Sequence, residues 1–340
     1  MKNRLILSAV PFFHQEKSPP NRILVVSTTA LGDSLWATPS IESLRKTFPS
    51  AYIAVLTSPI GAQVLKHNPW TDAVHVLKEP MLLNFFSMRK ELGTFSDIAI
   101  LHASQRLILP LCATLGATRI AGTIGINKGL DSLLTVPLNN NHEHAIIRRL
   151  QVAEAIGAKR HSVQLSLFLQ PDELPPPNLP EKFILLHPGS QDPFRRWPAS
   201  HYIQVGKELQ TLGYSILVSG TARESELVRA IASAIPGAQI SDPKLPLRRF
   251  AALLNKAELL ITNDTGPVHI ASALKRPLIA LYTPSDPKLY GPLEVDQAIA
   301  ISKPRTCGPC LQRKCREPFC FLQISPQEVI TAAKKLLKLP

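Results

Sequence analysis

No apolar run in these 340 residues approaches the roughly 20 that a membrane-crossing helix needs, so the sequence offers no transmembrane span. Acidic residues are in short supply. Only 25 Asp and Glu face 38 Lys and Arg, which leaves a net charge of +13 and a pI near 9.7. The excess points to an anionic partner: nucleic acid, a phosphorylated sugar or a negative membrane surface. A solvated basic surface with no special partner is the plainer alternative. Cysteine is scarce too, with four of its five copies crowded into residues 307–320. The fifth, Cys112, lies in an apolar helical stretch and reads as core. The first ten residues hold a short apolar stretch that breaks at Pro11, with no clean small-residue cleavage site after it. Residues 1–20 therefore read as a flexible extension, and the protein as cytoplasmic.

What is present is alternation. A hydrophobic content of 45% supports a sizeable core, and the length favours two domains over one. Short β-branched runs (Ile23–Val26, Tyr52–Leu56, Ile98–Leu101) trade places with helical patterns over Leu35–Phe48, Ile60–His67 and Arg106–Leu115. The pattern resumes with Phe183–Leu186, Tyr202–Leu212, Ser215–Val218 and Glu224–Ile235. It ends with Leu247–Asn255, Leu259–Ile261, Val268–Leu274 and Leu278–Leu281, before a final helix over 326–338. Strand–helix alternation predicts an α/β protein with parallel sheets covered on both faces. Residues 171–180 contain five prolines, too many for helix or inner strand, and read as a stiff linker. The expected organisation is an N-terminal Rossmann-like domain over 21–170 and a C-terminal one over 181–340. A ligand would sit in the cleft between them, at the strand C-terminal ends.

The candidate site residues cluster where strands end. Thr262-Asn263-Asp264-Thr265-Gly266-Pro267-Val268-His269 follows an apolar run and opens a helix, which sets bare backbone N–H groups and a favourable dipole toward an anion. Asp-Thr-Gly also forms ordinary caps and turns. Gly32-Asp33 occupies the equivalent place after Ile23–Val26. Gly32 permits close backbone approach, while Asp33 is either a base for an incoming hydroxyl or an N-terminal cap. Leu185-Leu186-His187-Pro188-Gly189-Ser190 is a strand ending in a turn whose N–H groups, at Ser190, suit phosphate. The following Arg195-Arg196 pair suits bidentate phosphate binding, the plainer alternative being that one of the two simply faces solvent. Glu224 is placed either to accept from ribose hydroxyls or as a surface helix glutamate. His269 either meets phosphate or caps its helix.

Four of these stretches, in order, carry a resemblance to the glycosyltransferase family 9 heptosyltransferases. They are Ala30-Leu31-Gly32-Asp33 through Thr38-Pro39, His187-Pro188-Gly189-Ser190, Arg195-Arg196-Trp197-Pro198, and Asn263 through His269. The resemblance covers about residues 21–330. It implies a GT-B fold with the acceptor bound mainly by the first domain and ADP-heptose by the second. It also implies inverting transfer to a lipopolysaccharide inner-core acceptor (Kdo-lipid A or heptosyl-Kdo-lipid A), with no catalytic metal, by an enzyme peripheral to the inner face of the cytoplasmic membrane. Asp33 would be the general base. Arg195 would stand where relatives have a phosphate-binding lysine, Asp264, Thr265, Gly266 and His269 would hold diphosphate and sugar, and Glu224 the ribose. Ser27 departs from the arginine that many relatives carry. Another sugar, or a protein acceptor, is the alternative within the family.

The tail poses a separate question. Cys307, Cys310, Cys315 and Cys320 follow C-x2-C-x4-C-x4-C, a spacing open to a structural zinc or iron and equally to reduced thiols around a loop. With the net charge, the cluster supports a second class of reading, a basic nucleic-acid-binding module. Against that reading, Arg305, Arg313, Lys314 and Arg316 form no long array, and aromatic stacking positions near them are sparse. No nucleic-acid partner is therefore expected.

Overall fold

A computed structural model of the protein describes residues 19–308, 310, 315 and 319–339. The first half runs β1 (Arg22–Ser27), α1 (Leu31–Trp36), α2 (Thr38–Thr47), β2 (Tyr52–Thr57), α3 (Pro59–Leu65), β3 (Ala73–Val76) and α4 (Met81–Leu92). It continues through β4 (Asp97–His102), α5 (Ile108–Ala113), β5 (Arg119–Thr123), β6 (Val136–Leu138) and α6 (Ala145–Ala155). The second half runs β7 (Phe183–His187), α7 (Ala199–Thr211), β8 (Ser215–Val218), α8 (Ser225–Ser233), β9 (Gln239–Ile240) and α9 (Leu247–Leu254). After β10 (Leu259–Asn263) come α10 (Gly266–Ala273), β11 (Leu278–Tyr282), α11 (Pro287–Tyr290), β12 (Ala298–Ser302), α12 (Phe319–Leu322) and α13 (Pro326–Leu337). Residues 171–180 contain neither helix nor strand. Of the extension expected over 1–20, residues 1–18 lie outside the described residues.

Each half is a parallel six-stranded sheet, ordered β3-β2-β1-β4-β5-β6 and β12-β11-β10-β7-β8-β9. Both orders reverse once, between β1 and β4 and between β7 and β10. At such a reversal the helices leave to opposite faces and open a crevice at the strand C-terminal ends. β1 shows why these strands form. Leu24 and Val26 enter a core with α4 and α5, whereas Ile23 and Val25 enter another with α2 and α6. A strand covered on both faces is a continuous apolar run.

One expected element differs. The helix expected over Leu35–Phe48 is broken into α1 and α2 at Ala37. Pro39 has no N–H to give the Leu35 carbonyl, and the Thr38 hydroxyl donates to that carbonyl instead, at 2.7 Å. The final helix starts as its residues dictate, with Pro326 in the first turn and a reciprocal Ser325–Glu328 cap.

A third core crosses between the halves. Leu35 of α1, Val64 of α3, and Ile146 and Leu150 of α6 pack into one cluster with Phe183, Leu185, Leu254, Val268 and Ile270. Beside this seam, Arg248 of α9 donates to the Gln63 carbonyl of α3 at 2.8 Å, to the Phe168 carbonyl and to the Glu173 carboxylate. That contact holds the Glu173 carboxyl down to about 2. Apolar seam and polar latch together set how the two crevices face each other.

Candidate active site

The crevices meet in one cavity of about 730 Å³, lined from both halves. Gly32 and Asp33 reach it from the end of β1, Ser190 and Arg195 from beyond β7, and Glu224 from the start of α8. Asp264, Thr265, Gly266 and His269 reach it from the end of β10 and the start of α10. These nine residues singled out from sequence share one cleft, whereas Arg196 does not line it.

On the first wall, Asp33 lies in the opening turn of α1 and both its oxygens are engaged. Oδ2 accepts the Thr29 hydroxyl at 2.7 Å and the Ala30 amide at 3.3 Å, and Oδ1 accepts Nη2 of Arg149 at 2.5 Å. Cap and cleft-facing carboxylate are therefore the same group. Arg149 is almost fully buried on α6, where burial lowers its guanidinium to about 10, still protonated at neutral pH. Its guanidinium also lies over the Trp36 ring, 5.0 Å from the centroid. Ser27 is fully buried and donates to the Asp33 carbonyl at 3.3 Å, so it supports the turn from beneath.

On the opposite wall, Asn263 joins two turns. Its Nδ2 donates to the Pro188 carbonyl at 2.7 Å, and its Oδ1 accepts the Trp197 amide at 3.0 Å and the Tyr202 hydroxyl at 3.1 Å. The Ser190 turn is thereby fixed to the start of α10. Arg196 braces the same turn with two hydrogen bonds to the Ser190 carbonyl, at 3.0 and 2.7 Å. Arg195 lies nearer the open cleft and donates to Asp264 Oδ2 at 2.8 Å, and the Ser285 hydroxyl also donates to that oxygen. Asp264 thus fixes the direction of Arg195. No side chain caps the first turn of α10. Its positive dipole end opens beside Arg195, which suits an anion.

Glu224 is buried. Its Oε2 accepts the Thr221 amide at 2.8 Å and hydroxyl at 2.9 Å, while Oε1 has only a long ion contact to Arg196 at 3.9 Å. That oxygen keeps accepting capacity. Gly189 is required here, since a Cβ on it would lie 2.3 Å from the Glu224 carboxylate. His269 spans the halves. Its ring meets Trp36 edge-on at 4.7 Å, and a Cβ on Gly32 would come within 2.8 Å of it. Burial pulls His269 down to about 4. His187 is pulled to about 4 by burial as well, against the opposing charge of Glu224, and its Nδ1 lies 2.9 Å from the Ser219 hydroxyl. Both rings are neutral at pH 7.

Thr29, Arg149, Trp36 and Ser285 were not singled out from sequence. The one available signal was the Arg148-Arg149 pair set after Ala145-Ile146-Ile147 at the start of α6. The cysteines stand outside the cleft. Cys307 is exposed, Cys310 and Cys315 are half-buried, Cys320 is buried, and all four are free thiols. Among the described residues no three His, Cys, Asp or Glu side chains gather to hold a metal, so the structure does not bring these four together. Residues 309, 311–314 and 316–318 between them lie outside the described residues. Cys112 is fully buried core, its thiol pushed up to about 12.

Two parallel Rossmann-like sheets facing across one shared cleft are the GT-B architecture. The particular family follows from comparison. A family model described as glycosyltransferase family 9 (heptosyltransferase) matches residues 133–320, and the chain belongs to that family. It is similar to lipooligosaccharide heptosyltransferase 2 of Campylobacter jejuni, 25% identical over 93% of this chain and 98% of that one. Lipopolysaccharide heptosyltransferase 2 of Escherichia coli K12 is 35% identical over a shorter stretch, 31% of this chain and 32% of the relative. Among solved structures, a family 9 glycosyl transferase from Veillonella parvula superposes with a TM-score of 0.78 at 24% identity, covering 94% of this chain and 97% of that one. The E. coli heptosyltransferase WaaC with ADP superposes at 0.73 and 17% identity, covering 93% and 99%. These two likenesses support the fold.

Proposed function

We propose that this enzyme moves heptose from ADP-heptose to a lipopolysaccharide inner-core acceptor, Kdo-lipid A or heptosyl-Kdo-lipid A. The transfer inverts the anomeric centre and uses no catalytic metal. The observation that carries this reading is the opposition of Asp33 to Arg195 and the α10 N-terminus across a single cleft. Asp33 takes the proton of the acceptor hydroxyl, and the freed oxygen attacks the anomeric carbon from the first wall. The bond from that carbon to the diphosphate breaks on the far side, so the configuration inverts. The charge left on ADP meets Arg195 and the N–H groups at Thr265 and Gly266, which supply what a divalent ion supplies elsewhere.

The donor names come from relatives whose solved structures hold ADP or ADP-2-deoxy-2-fluoro heptose. The cavity supports a nucleotide through the free oxygen of Glu224, for ribose, and an apolar wall of Pro243, Leu245 and Phe250, for the base. Relatives named for lipopolysaccharide and lipooligosaccharide supply the acceptor class. A lipid-linked acceptor of this kind places the enzyme in the cytoplasm, against the inner face of the membrane.

The test is ADP release from ADP-heptose by the purified protein in chelator, with and without heptose-deficient lipopolysaccharide. Acceptor-dependent release is expected. Bound ADP without release would remove the acceptor or the sugar from the proposal, and failure to bind ADP would remove the donor. Release that requires added divalent cation would overturn the metal-independent mechanism.

A further inference from the structure

We infer that α4 is a membrane-docking element that seats the cleft rim on an anionic lipid surface. The inference deepens the lipid-linked acceptor proposed above and rests on that reading for its purpose, although not for its observations. Leu82, Leu83 and Phe86 are 75%, 80% and 81% exposed, the three most exposed large apolar side chains among the described residues. They stand at i, i+1 and i+4, and so share one side of the helix. The other side is already used: Met81, Met88 and Leu92 are buried in the core beneath β1 and β2. A helix apolar toward both the core and solvent is unusual, because an exposed apolar cluster costs hydration free energy unless something covers it.

The charges around the cluster indicate what covers it. Arg89 and Lys90, one turn further on, are exposed and form no ion pair among the described residues. The nearby acids are engaged. Glu91 is held by Lys78 at 2.5 Å and His75 at 3.1 Å, and the Glu79 carboxylate accepts the Met81 amide at 3.0 Å. An outward face of leucine and phenylalanine, followed by unpaired cations and backed by a net charge of +13, matches the hydrocarbon boundary and negative headgroups of a bilayer surface.

Position supports the same occupant. Ser27 is level with Thr57, and Thr57 with Val76, so β3 ends two strands from β1 on the same sheet edge, roughly 10 Å away. α4 begins just beyond Val76, hence on the edge from which Asp33 enters the cleft. No helix among the described residues is long and apolar enough to cross a membrane, so contact through this helix would be interfacial.

The experiment is flotation of the full chain with vesicles of phosphatidylcholine alone or mixed with phosphatidylglycerol, alongside the Leu82→Gln/Leu83→Gln/Phe86→Gln variant. Circular dichroism and ADP binding serve as folding controls. The wild type is expected to float with the anionic vesicles, and the folded variant to lose at least tenfold in partitioning. Arg89→Gln/Lys90→Gln should lose several-fold, only on anionic vesicles. Equal flotation of wild type and triple variant would overturn the assignment, as would no preference for phosphatidylglycerol. A dimer that the triple variant dissolves, without lipid binding by either, would make the face a self-association surface and also overturn it. Should the triple variant misfold, Leu83→Gln alone carries the test. Transfer is scored separately on a deacylated, water-soluble acceptor: vesicle binding without transfer would strike the proposed reaction and leave α4's role intact.

Discussion

Arg149 and Asp33, 116 residues apart in sequence, meet at 2.5 Å on the first-half wall of the cleft, with the arginine almost completely buried behind the carboxylate. The other carboxylate oxygen is fixed by Thr29 and the Ala30 amide, so Asp33 has one orientation, and that orientation faces the cavity.

Asp33→Asn should lower kcat by about 10²–10⁴-fold, the usual contribution of a general base, with ADP affinity unchanged. Arg149→Ala should also lower kcat at constant ADP affinity, because the carboxylate loses its counter-ion and its fixed direction. Arg149→Lys should recover part of the loss, a point charge replacing a fork. The stability cost of Arg149→Ala should fall below the ~3–5 kcal/mol of a fully buried pair, since Asp33 keeps some access to water. Unaltered kcat in Arg149→Ala would show that Thr29 and the Ala30 amide position the base unaided.

Arg195 and Asp264 should behave as a coupled pair. Arg195→Ala is expected to weaken ADP binding more than one lost contact would, because an uncompensated Asp264 carboxylate then faces the diphosphate. Adding Asp264→Asn should restore part of the affinity, with a coupling of roughly 0.5–3 kcal/mol in a double-mutant cycle. Strictly additive losses, measured by calorimetry with ADP, would refute the coupling.

Stability should fall with acid in two windows. His187 and His269 are held near 4 in the folded chain and rise to about 6.5 when unfolded. The unfolded chain binds more protons between those values, so stability is full above about 6.5 and is lost as pH falls toward 4, by up to about 3 kcal/mol for each ring. Glu173, held near 2, adds a loss only between about 4.5 and 2. Urea midpoints that stay constant from pH 7 to 4.5 would contradict the buried neutral rings. His269→Gln should remove about half of the loss in the upper window, His187 keeping the rest.

Arg248→Ala removes donors to α3, to the Phe168 carbonyl and to Glu173 at once. Looser registration of the halves is expected, seen as faster proteolysis within residues 171–180 and a raised KM for both substrates. A cleavage rate equal to wild type would assign the latch a purely local role.

Much of this arrangement was legible in the residues, for a physical reason. β1, β7 and β10 are covered on both faces, so each is an unbroken apolar run, and the first polar residues after such a run must lie at the strand end. Gly32-Asp33, Ser190 and Asp264 were found that way. Arg149 was not, because spacing along α6 does not decide which of two adjacent arginines turns inward: Arg149 is buried while Arg148 is half-exposed. Ser285 reaches Asp264 from the far side of β11, a proximity that only tertiary folding creates. α4 escaped because its apolar residues fill both faces and leave no single stripe. Pro39 did mark the break between α1 and α2, yet the apolar pattern on either side reads straight through it.

The core shared by the two halves has a mechanical consequence. Pulling the walls straight apart would wet Leu35, Ile146, Leu150 and their partners, each at about 1.5–3 kcal/mol. Sliding one wall along the other would break the Arg248 contacts to the Gln63 and Phe168 carbonyls and to Glu173. The apolar seam therefore resists opening, and the polar latch resists sliding. At Gly32 and Gly266 the two walls approach too closely for a side chain: a Cβ on Gly32 would lie 2.8 Å from the His269 ring, and one on Gly266 2.6 Å from Leu31.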